Sequence, residues 1–262
     1  MGKLEFLGTG TSTGVPLIGC QCKVCLSKNP KNNRMRASSK ITVKDTVILI
    51  DTGPEFRLQA IRSNISRVDG VLITHTHADH VAGFDDLRAF NFITGEPVKV
   101  WGNPSSCEIL KSNYPYIFGS ALQVGGGLPQ IELSAAEDLL YVGNIKVEPI
   151  PVWHGRVPVN GYRIGSMAYV TDVSNIPQRS MAKLEGLDVL VLGALRYRKH
   201  STHLNIDEAL EIVDKLRPKR TFFTHIGHDL EHERVSERLK ALSSRSVQVD
   251  LAYDGLILEF PD

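Results

Sequence analysis

The sequence predicts a layered α/β protein in which two mixed β-sheets lie between helices. Short apolar segments recur along the chain, each bounded by Gly, Pro, Asn or Asp. Helical stretches separate them without strict βαβ alternation, and strands dominate the first half. At 262 residues the chain is near the upper end of what one hydrophobic core supports, so a single domain over 1–262 is expected.

In chain order, residues 4–7, 40–43, 47–50, 71–74, 98–101, 145–150, 161–164, 168–171, 189–192, 221–224 and 256–259 read as strands. Several are continuously apolar, as expected for strands covered on both faces. Residues 206–216 carry apolar side chains at 206, 209, 210, 212, 213 and 216, a helical stripe, with Asn205 in place to cap it. Residues 55–63, 105–111, 178–185 and 229–242 are weaker helical segments. The stretch 113–130, with Tyr114, Tyr116, Phe118 and a glycine run, reads as a long loop. It is expected to serve as a lid or as the surface of a homodimer; the sequence leaves both open.

Composition excludes whole classes. With 42% hydrophobic and 23% charged residues the chain is an ordinary globular one, neither disordered nor a disulfide scaffold. Thirty basic residues against 29 acidic ones argue against a protein whose main affinity is for polyanions, so nucleic acid is not the expected partner. No apolar run approaches the roughly 18–20 residues of a membrane helix, and the N-terminus lacks a signal peptide's apolar core. No membrane association and a cytoplasmic location are the expectation.

The chemistry concentrates in His75-Thr-His77-Ala-Asp79-His80, directly after the apolar segment 71–74. Two histidines at i, i+2 on an extended backbone project to the same side and can reach one cation. Asp79 and His80 follow where the chain turns into a helix and can address a second. A hydrolytic metal needs about three protein ligands and an open position, so the run cannot complete two sites alone. His154, Asp172 and His225 each stand immediately beyond a later apolar segment and supply the missing donors.

His75-x-His77-x-Asp79-His80, followed in order by His154, Asp172 and His225, resembles the signature of the metallo-β-lactamase-fold hydrolases. The resemblance implies a four-layer αββα sandwich with a dinuclear site at the sheet edge. One metal would be held by His75, His77 and His154, the other by Asp79, His80 and His225, with Asp172 bridging. It says little of the substrate, because this fold hosts many hydrolases.

A second cluster, Cys20-Gln-Cys22-Lys-Val-Cys25, supplies three thiolates in the stretch 17–36. In a chain without an export signal this reads as metal-binding rather than as disulfides. A closed structural zinc takes four ligands, so one is missing locally. Cys107 lies inside a helical segment; His228, three residues beyond His225, is the better fourth ligand. Three free thiols that merely cap a loop are the other reading. The loop Gly8-Thr-Gly-Thr-Ser-Thr-Gly14-Val-Pro16 lacks the Lys of a P-loop and the spacing of a dinucleotide fingerprint. It is expected to turn the backbone tightly, with its hydroxyls near the metal pocket.

Taken together, the GTGTSTGVP loop, the cysteine knuckle and Thr224-His225-Ile-Gly-His228 are similar to the phosphoribosyl 1,2-cyclic phosphate phosphodiesterases, the PhnP-like family. An enzyme of pyrroloquinoline quinone biosynthesis carries a similar knuckle, but the intact dinuclear set favours the phosphodiesterase. The resemblance implies two active-site divalent metals, Zn or Mn, one structural Zn on Cys20, Cys22, Cys25 and His228, and a small cyclic phosphodiester substrate opened to a phosphomonoester. By the family's pattern His203, shortly before the helix at 206, is the general acid, with His200 its rival; Asp79 counts with His203 as a catalytic group. Arg196, Arg198 and Arg156 are candidates to clamp a second phosphate. Rival readings are an RNA-end nuclease of the same fold, a carbon-centred hydrolase, and a non-catalytic zinc module. A nuclease needs a basic exosite, and 28–36 (KNPKNNRMR) is the nearest thing to one.

Overall fold

The computed structural model describes residues 1–119, 127–137, 139–242 and 247–262. Fourteen strands are seen among them: β1 (Gly2–Gly8), β2 (Ser38–Val43), β3 (Thr46–Ile50), β4 (Gly70–Leu72), β5 (Val98–Gly102), β6 (Ile131–Ala135), β7 (Leu140–Val142), β8 (Ile145–His154), β9 (Val157–Ile164), β10 (Met167–Val170), β11 (Val189–Gly193), β12 (Arg220–Thr224), β13 (Gln248–Leu251) and β14 (Ile257–Phe260). The helices are α1 (Phe56–Arg62), α2 (Ala78–Val81), α3 (Arg88–Thr94), α4 (Pro104–Asn113), α5 (Pro115–Phe118), α6 (Gln178–Lys183), α7 (Ile206–Leu216) and α8 (His232–Leu242).

One sheet runs β14-β1-β2-β3-β4-β5-β6 and the other β13-β12-β11-β10-β9-β8-β7. Both are mixed. β3 to β6 are parallel, whereas β14, β1, β2 and β3 are antiparallel; β10 to β13 are parallel, and β7 to β10 antiparallel. Three apolar layers follow. Leu4, Ile41, Ile48, Leu72, Tyr162, Tyr169 and Val191 fill the space between the sheets. Leu49, Val71, Phe84, Phe90 and Leu110 join the first sheet to α1, α3 and α4. Leu190, Leu192, Ile206, Val213, Val235 and Leu239 join the second sheet to α7 and α8. This is a four-layer αββα sandwich.

α7 has the predicted bounds, and its start is a capping box: Asn205 accepts from Glu208 N while the Glu208 side chain accepts from Asn205 N. β6, β7, β13 and α3 were not expected from the sequence. The first three are short outer strands, and α3 (RAFNFIT) is aromatic and β-branched, a composition that does not announce a helix. The expected loop at 113–130 is corrected at its start. α5 packs there, with the Tyr114 and Phe118 rings 5.1 and 6.3 Å from Phe84, and Tyr114 Oη donates to Val81 O at 2.6 Å. That end buttresses α2; residues 120–126 lie outside the described ones. Among the described residues no helix is long and apolar enough to cross a membrane.

Candidate metal centre

The chemistry-bearing side chains of the main cluster sit at strand ends or, for Asp79 and His80, in the short helix that follows one. His75 and His77 follow β4, Asp79 and His80 lie in α2, His154 ends β8, Asp172 follows β10 and His225 follows β12. The two sheets thus contribute from both sides to one edge. His75, His77 and His154 bring one nitrogen each to within 4.8 Å of one another; Asp79, His80, Asp172 and His225 do the same beside them. Asp172 spans the two groups. Its Oδ2 is 3.8 Å from His75 Nε2, and its Oδ1 is 3.3 Å from His80 Nε2 and 3.4 Å from His225 Nε2. Asp79 Oδ2 lies 3.2 Å from His80 Nε2 and 3.3 Å from His225 Nε2. His75, His80, His154, Asp172 and His225 are buried, while His77 is exposed at the mouth.

A layer of hydrogen bonds aims these donors. His80 Nδ1 donates to Asp51 Oδ2 at 2.7 Å. Thr74 Oγ1 donates to the same oxygen at 2.7 Å and lies 3.1 Å from His75 Nδ1. Thr74 N donates to the other oxygen of Asp51. His154 Nδ1 donates to Thr202 O at 2.7 Å. These bonds occupy the outer Nδ1 atoms and turn the inner Nε2 atoms of three imidazoles inward, the arrangement metal-ligating histidines require. His80 Nε2 itself has no hydrogen-bond partner. A cluster of inward-facing ring nitrogens and carboxylates in a buried pocket fits cations and little else. Asp51, Asp172 and His225 all hold positive φ (60°, 36° and 57°), a conformation that costs a non-glycine residue energy and gathers at functional sites.

Electrostatics point the same way. Burial opposes ionisation of Asp79 and Asp172, yet the surrounding imidazoles hold both carboxyls well below the usual range. Burial and the neighbouring His80 hold His75 neutral; burial does the same for His154. His203 is pushed down to about 3 by burial and by His225. Its ring stacks on His225 at 4.9 Å and stands edge-on to His154 at 4.5 Å, with Nδ1 3.9 Å from Asp172 Oδ2. His200 is exposed, 5.1 Å from the His203 ring, and its Nδ1 is taken up by Thr202 N at 3.3 Å. Of the two rivals, the fold brings His203 to the centre. Arg196 donates to the carbonyls of Arg198 and Lys199 in its own loop, while Arg156 and Arg198 are exposed.

The second cluster also assembles. Cys20, Cys22, Cys25 and His228 form a group within 4.8 Å, with the three Sγ atoms 3.3, 3.6 and 3.6 Å from His228 Nδ1. Leu17 N donates to Cys25 Sγ and Cys25 N to Cys22 Sγ, and that backbone donor pulls Cys22 down to about 6. Cys107 is elsewhere, on the buried face of α4 with its thiol on the carbonyls of Gly102 and Ser134. The glycine loop differs from expectation. Thr9 Oγ1 donates to Asp254 Oδ1 and Thr13 Oγ1 to Gly14 O, so neither hydroxyl bonds a member of the metal centre. Its glycines serve close approach instead: Gly10 bridges to both Arg36 and Ile226, and a Cβ there would lie 2.7 Å from Arg34 O. The basic stretch 28–36 is also less open than its sequence suggests. Arg34 is buried, Arg36 is paired with Glu55, and Lys31 lies over the Tyr253 ring.

Comparison with known proteins agrees with this geometry. Residues 46–226 match the family model described as Beta-lactamase superfamily domain. A solved diphosphatase of the PhnP family superposes with a TM-score of 0.89 at 42% identity, covering 100% of this chain and 98% of that one. The chain belongs to the PhnP family of the β-lactamase superfamily. It is also 34% identical over 252 residues to an octanoyltransferase of Porphyromonas gingivalis, matching 95% of this chain but spanning only half of that protein's length. A ribonuclease Z of Methanococcus maripaludis is 21% identical over 262 residues, covering 96% of this chain and 76% of that one. The fold and the donor set are those of a metal-dependent hydrolase.

Proposed function

We propose that the protein is a dinuclear metal-dependent phosphodiesterase that opens a small cyclic phosphodiester, of the phosphoribosyl 1,2-cyclic phosphate type, to a phosphomonoester. The observation that carries this reading is Asp172, whose two carboxylate oxygens face the two donor groups. His75, His77 and His154 would hold one divalent cation and Asp79, His80 and His225 the other, with Asp172 between them. Such a pair supplies an activated water and neutralises phosphoryl charge. His203, held by its stacking on His225 and its contact with His154, is the group that meets the leaving oxygen. Burial and the neighbouring His225 keep its imidazole neutral in the free protein, so it would meet the leaving oxygen as a neutral N–H hydrogen-bond donor. Asp79 would be a donor to the second cation; its Oδ2 lies 3.3 Å from Nε2 of its fellow donor His225.

The half-exposed cysteine cluster, with donors of thiolate type and no buried carboxylate, would hold a structural Zn, whereas the N/O centre suits Zn or Mn. The PhnP-family relative is a diphosphatase, which supports a small phosphorus substrate. The buried or paired state of Arg34 and Arg36 counts against a nucleic-acid exosite at 28–36. A cytoplasmic location and a homodimer remain part of this proposal.

The experiment is a substrate panel on metal-repleted protein: bis-p-nitrophenyl phosphate, a ribose cyclic phosphate, a dinucleoside diphosphate and structured RNA with a 3′ extension. The reading predicts turnover of the small esters, highest for the cyclic one, with RNA at least ~100-fold slower. Efficient 3′ trimming of RNA with weak small-ester turnover would favour the nuclease, and inertness toward every P–O ester would end the proposal.

A further inference from the structure

Arg34 is 2% exposed, a depth at which an arginine is rarely found. Its guanidinium donates from Nη1 to Gly227 O at 2.9 Å, and from Nη2 to Leu230 O at 2.7 Å and Asn32 Oδ1 at 3.2 Å. Its backbone exchanges two hydrogen bonds with Val15, just ahead of the knuckle, at 2.7 and 2.9 Å. Asn32 extends the brace, accepting from His232 N and donating to Ser27 Oγ and Glu231 Oε1. The guanidinium thus holds the turn 227–230, which carries His228 and begins two residues after His225, while the Arg34 backbone and Asn32 hold Val15 and Ser27 on either side of the knuckle.

This clamp is made to carbonyls, not carboxylates. Among the described residues Arg34 forms no salt bridge. A buried cation without a counter-charge is costly, and burial pulls this guanidinium down to about 10, still charged at neutral pH. The negative groups that reach it are Asp254 and Glu231; Cys25, whose thiol burial pushes up to about 11, joins them only as a metal-bound thiolate. Asp254 is engaged by Thr9 Oγ1 and Met35 N, and burial raises it to about 6. Glu231 accepts from Asn32, Arg234 N and Glu233 N. Those hydrogen bonds leave both carboxylates ionised at neutral pH, so they share the offset with the cysteine centre, where three thiolates around one divalent cation would carry a net charge of −1.

We propose that Arg34 is the positioning residue of the cysteine centre, its two-carbonyl clamp setting the turn that presents His228 and its charge balancing the metal–thiolate complex. The inference rests on the proposal that Cys20, Cys22, Cys25 and His228 hold a metal. Outer partners of this kind change metal affinity by roughly 10–100-fold when removed.

The test is metal release from full-length protein carrying Arg34→Met, which keeps the bulk and loses the charge, or Arg34→Lys, which keeps the charge and loses the fork. Cobalt-loaded protein reports the cysteine centre through its thiolate absorption band, and metal retained after that band has gone reports the His/Asp centre. Expected is a release from the cysteine centre at least ~10-fold faster in Arg34→Met and a few-fold faster in Arg34→Lys, with the His/Asp centre following later. A merely structural role would empty both centres in step with unfolding. Should Arg34→Met be insoluble, Arg34→Lys decides the question. Absence of any thiolate band in the unsubstituted protein would overturn the metal reading and the inference together. A normal band with unchanged release, or with both centres lost in step, would overturn the role of Arg34 alone.

Discussion

His225 and His228 leave the same turn after β12, yet they enter opposite surroundings. His225 joins a buried set of imidazoles and carboxylates; His228 joins three half-buried thiols. The first group is aimed by Asp51, Thr74 and Thr202, and two of its members, Asp172 and His225, have strained backbones. The second is built on short backbone N–H to sulfur contacts in an irregular loop, and none of its four donors has positive φ. Strain and burial are spent where charge must be concentrated around reacting atoms; the thiol site needs neither, because soft donors and a tight loop suffice to close a structural centre.

The comparison can be broken most severely at Asp172. Asp172→Asn is expected to lower turnover of bis-p-nitrophenyl phosphate by ~10³-fold or more, about 4 kcal/mol in the barrier. It should reduce metal in the His/Asp centre while the cysteine centre stays loaded, read by elemental analysis with a thiol-selective cobalt spectrum. His203→Ala is expected to cut turnover by roughly 10²–10³-fold with metal content unchanged; equal turnover in the two proteins would remove His203 from the reaction. Asp51→Asn sharpens the contrast between aimed and unaimed donors. It should weaken metal binding at the His/Asp centre by roughly 10–100-fold, measured by competition with a chelator, and leave the thiolate site untouched.

The smallest effect concerns Asp254, which lies in the wall beside Arg34. Its folded value is raised from 3.8 to about 6, chiefly by burial, so the native state prefers the protonated form. Its contribution to stability is therefore best below pH 4 and is lost as pH rises through about 6, by up to about 3 kcal/mol. Asp254→Asn should raise the melting temperature by a few degrees at pH 7.5 and by about a third as much at pH 4.5. A gain of equal size at both pH values would contradict the assignment.

How much of this was legible in the sequence follows from how the information is spaced. The run His75–His80 declares itself because four donor types fall within six residues after an apolar segment, and His154, Asp172 and His225 repeat that position relative to their own strands. Asp51 is a missed functional residue. It stands at the end of β3 in the same way, but a lone Asp after a strand is an ordinary turn residue until His80 and Thr74 are seen to meet it. Thr202 was hidden for a different reason, since it acts through its carbonyl, which no side-chain pattern reports. Arg34 was misread by its neighbours: in KNPKNNRMR it looks like surface charge, and only burial shows it to be internal. Two hydroxyls of the glycine loop were counted by proximity in sequence to the metal pocket, whereas Thr9 bonds Asp254 and Thr13 bonds Gly14 O.

The central claim is tested most directly by an anomalous-scattering map of crystals grown with zinc or manganese. The account predicts two peaks roughly 3.5–4 Å apart on either side of Asp172. In zinc crystals it predicts a third between Cys20, Cys22, Cys25 and His228. A map without a peak among the histidines, at full occupancy of the supplied metal elsewhere, would contradict it.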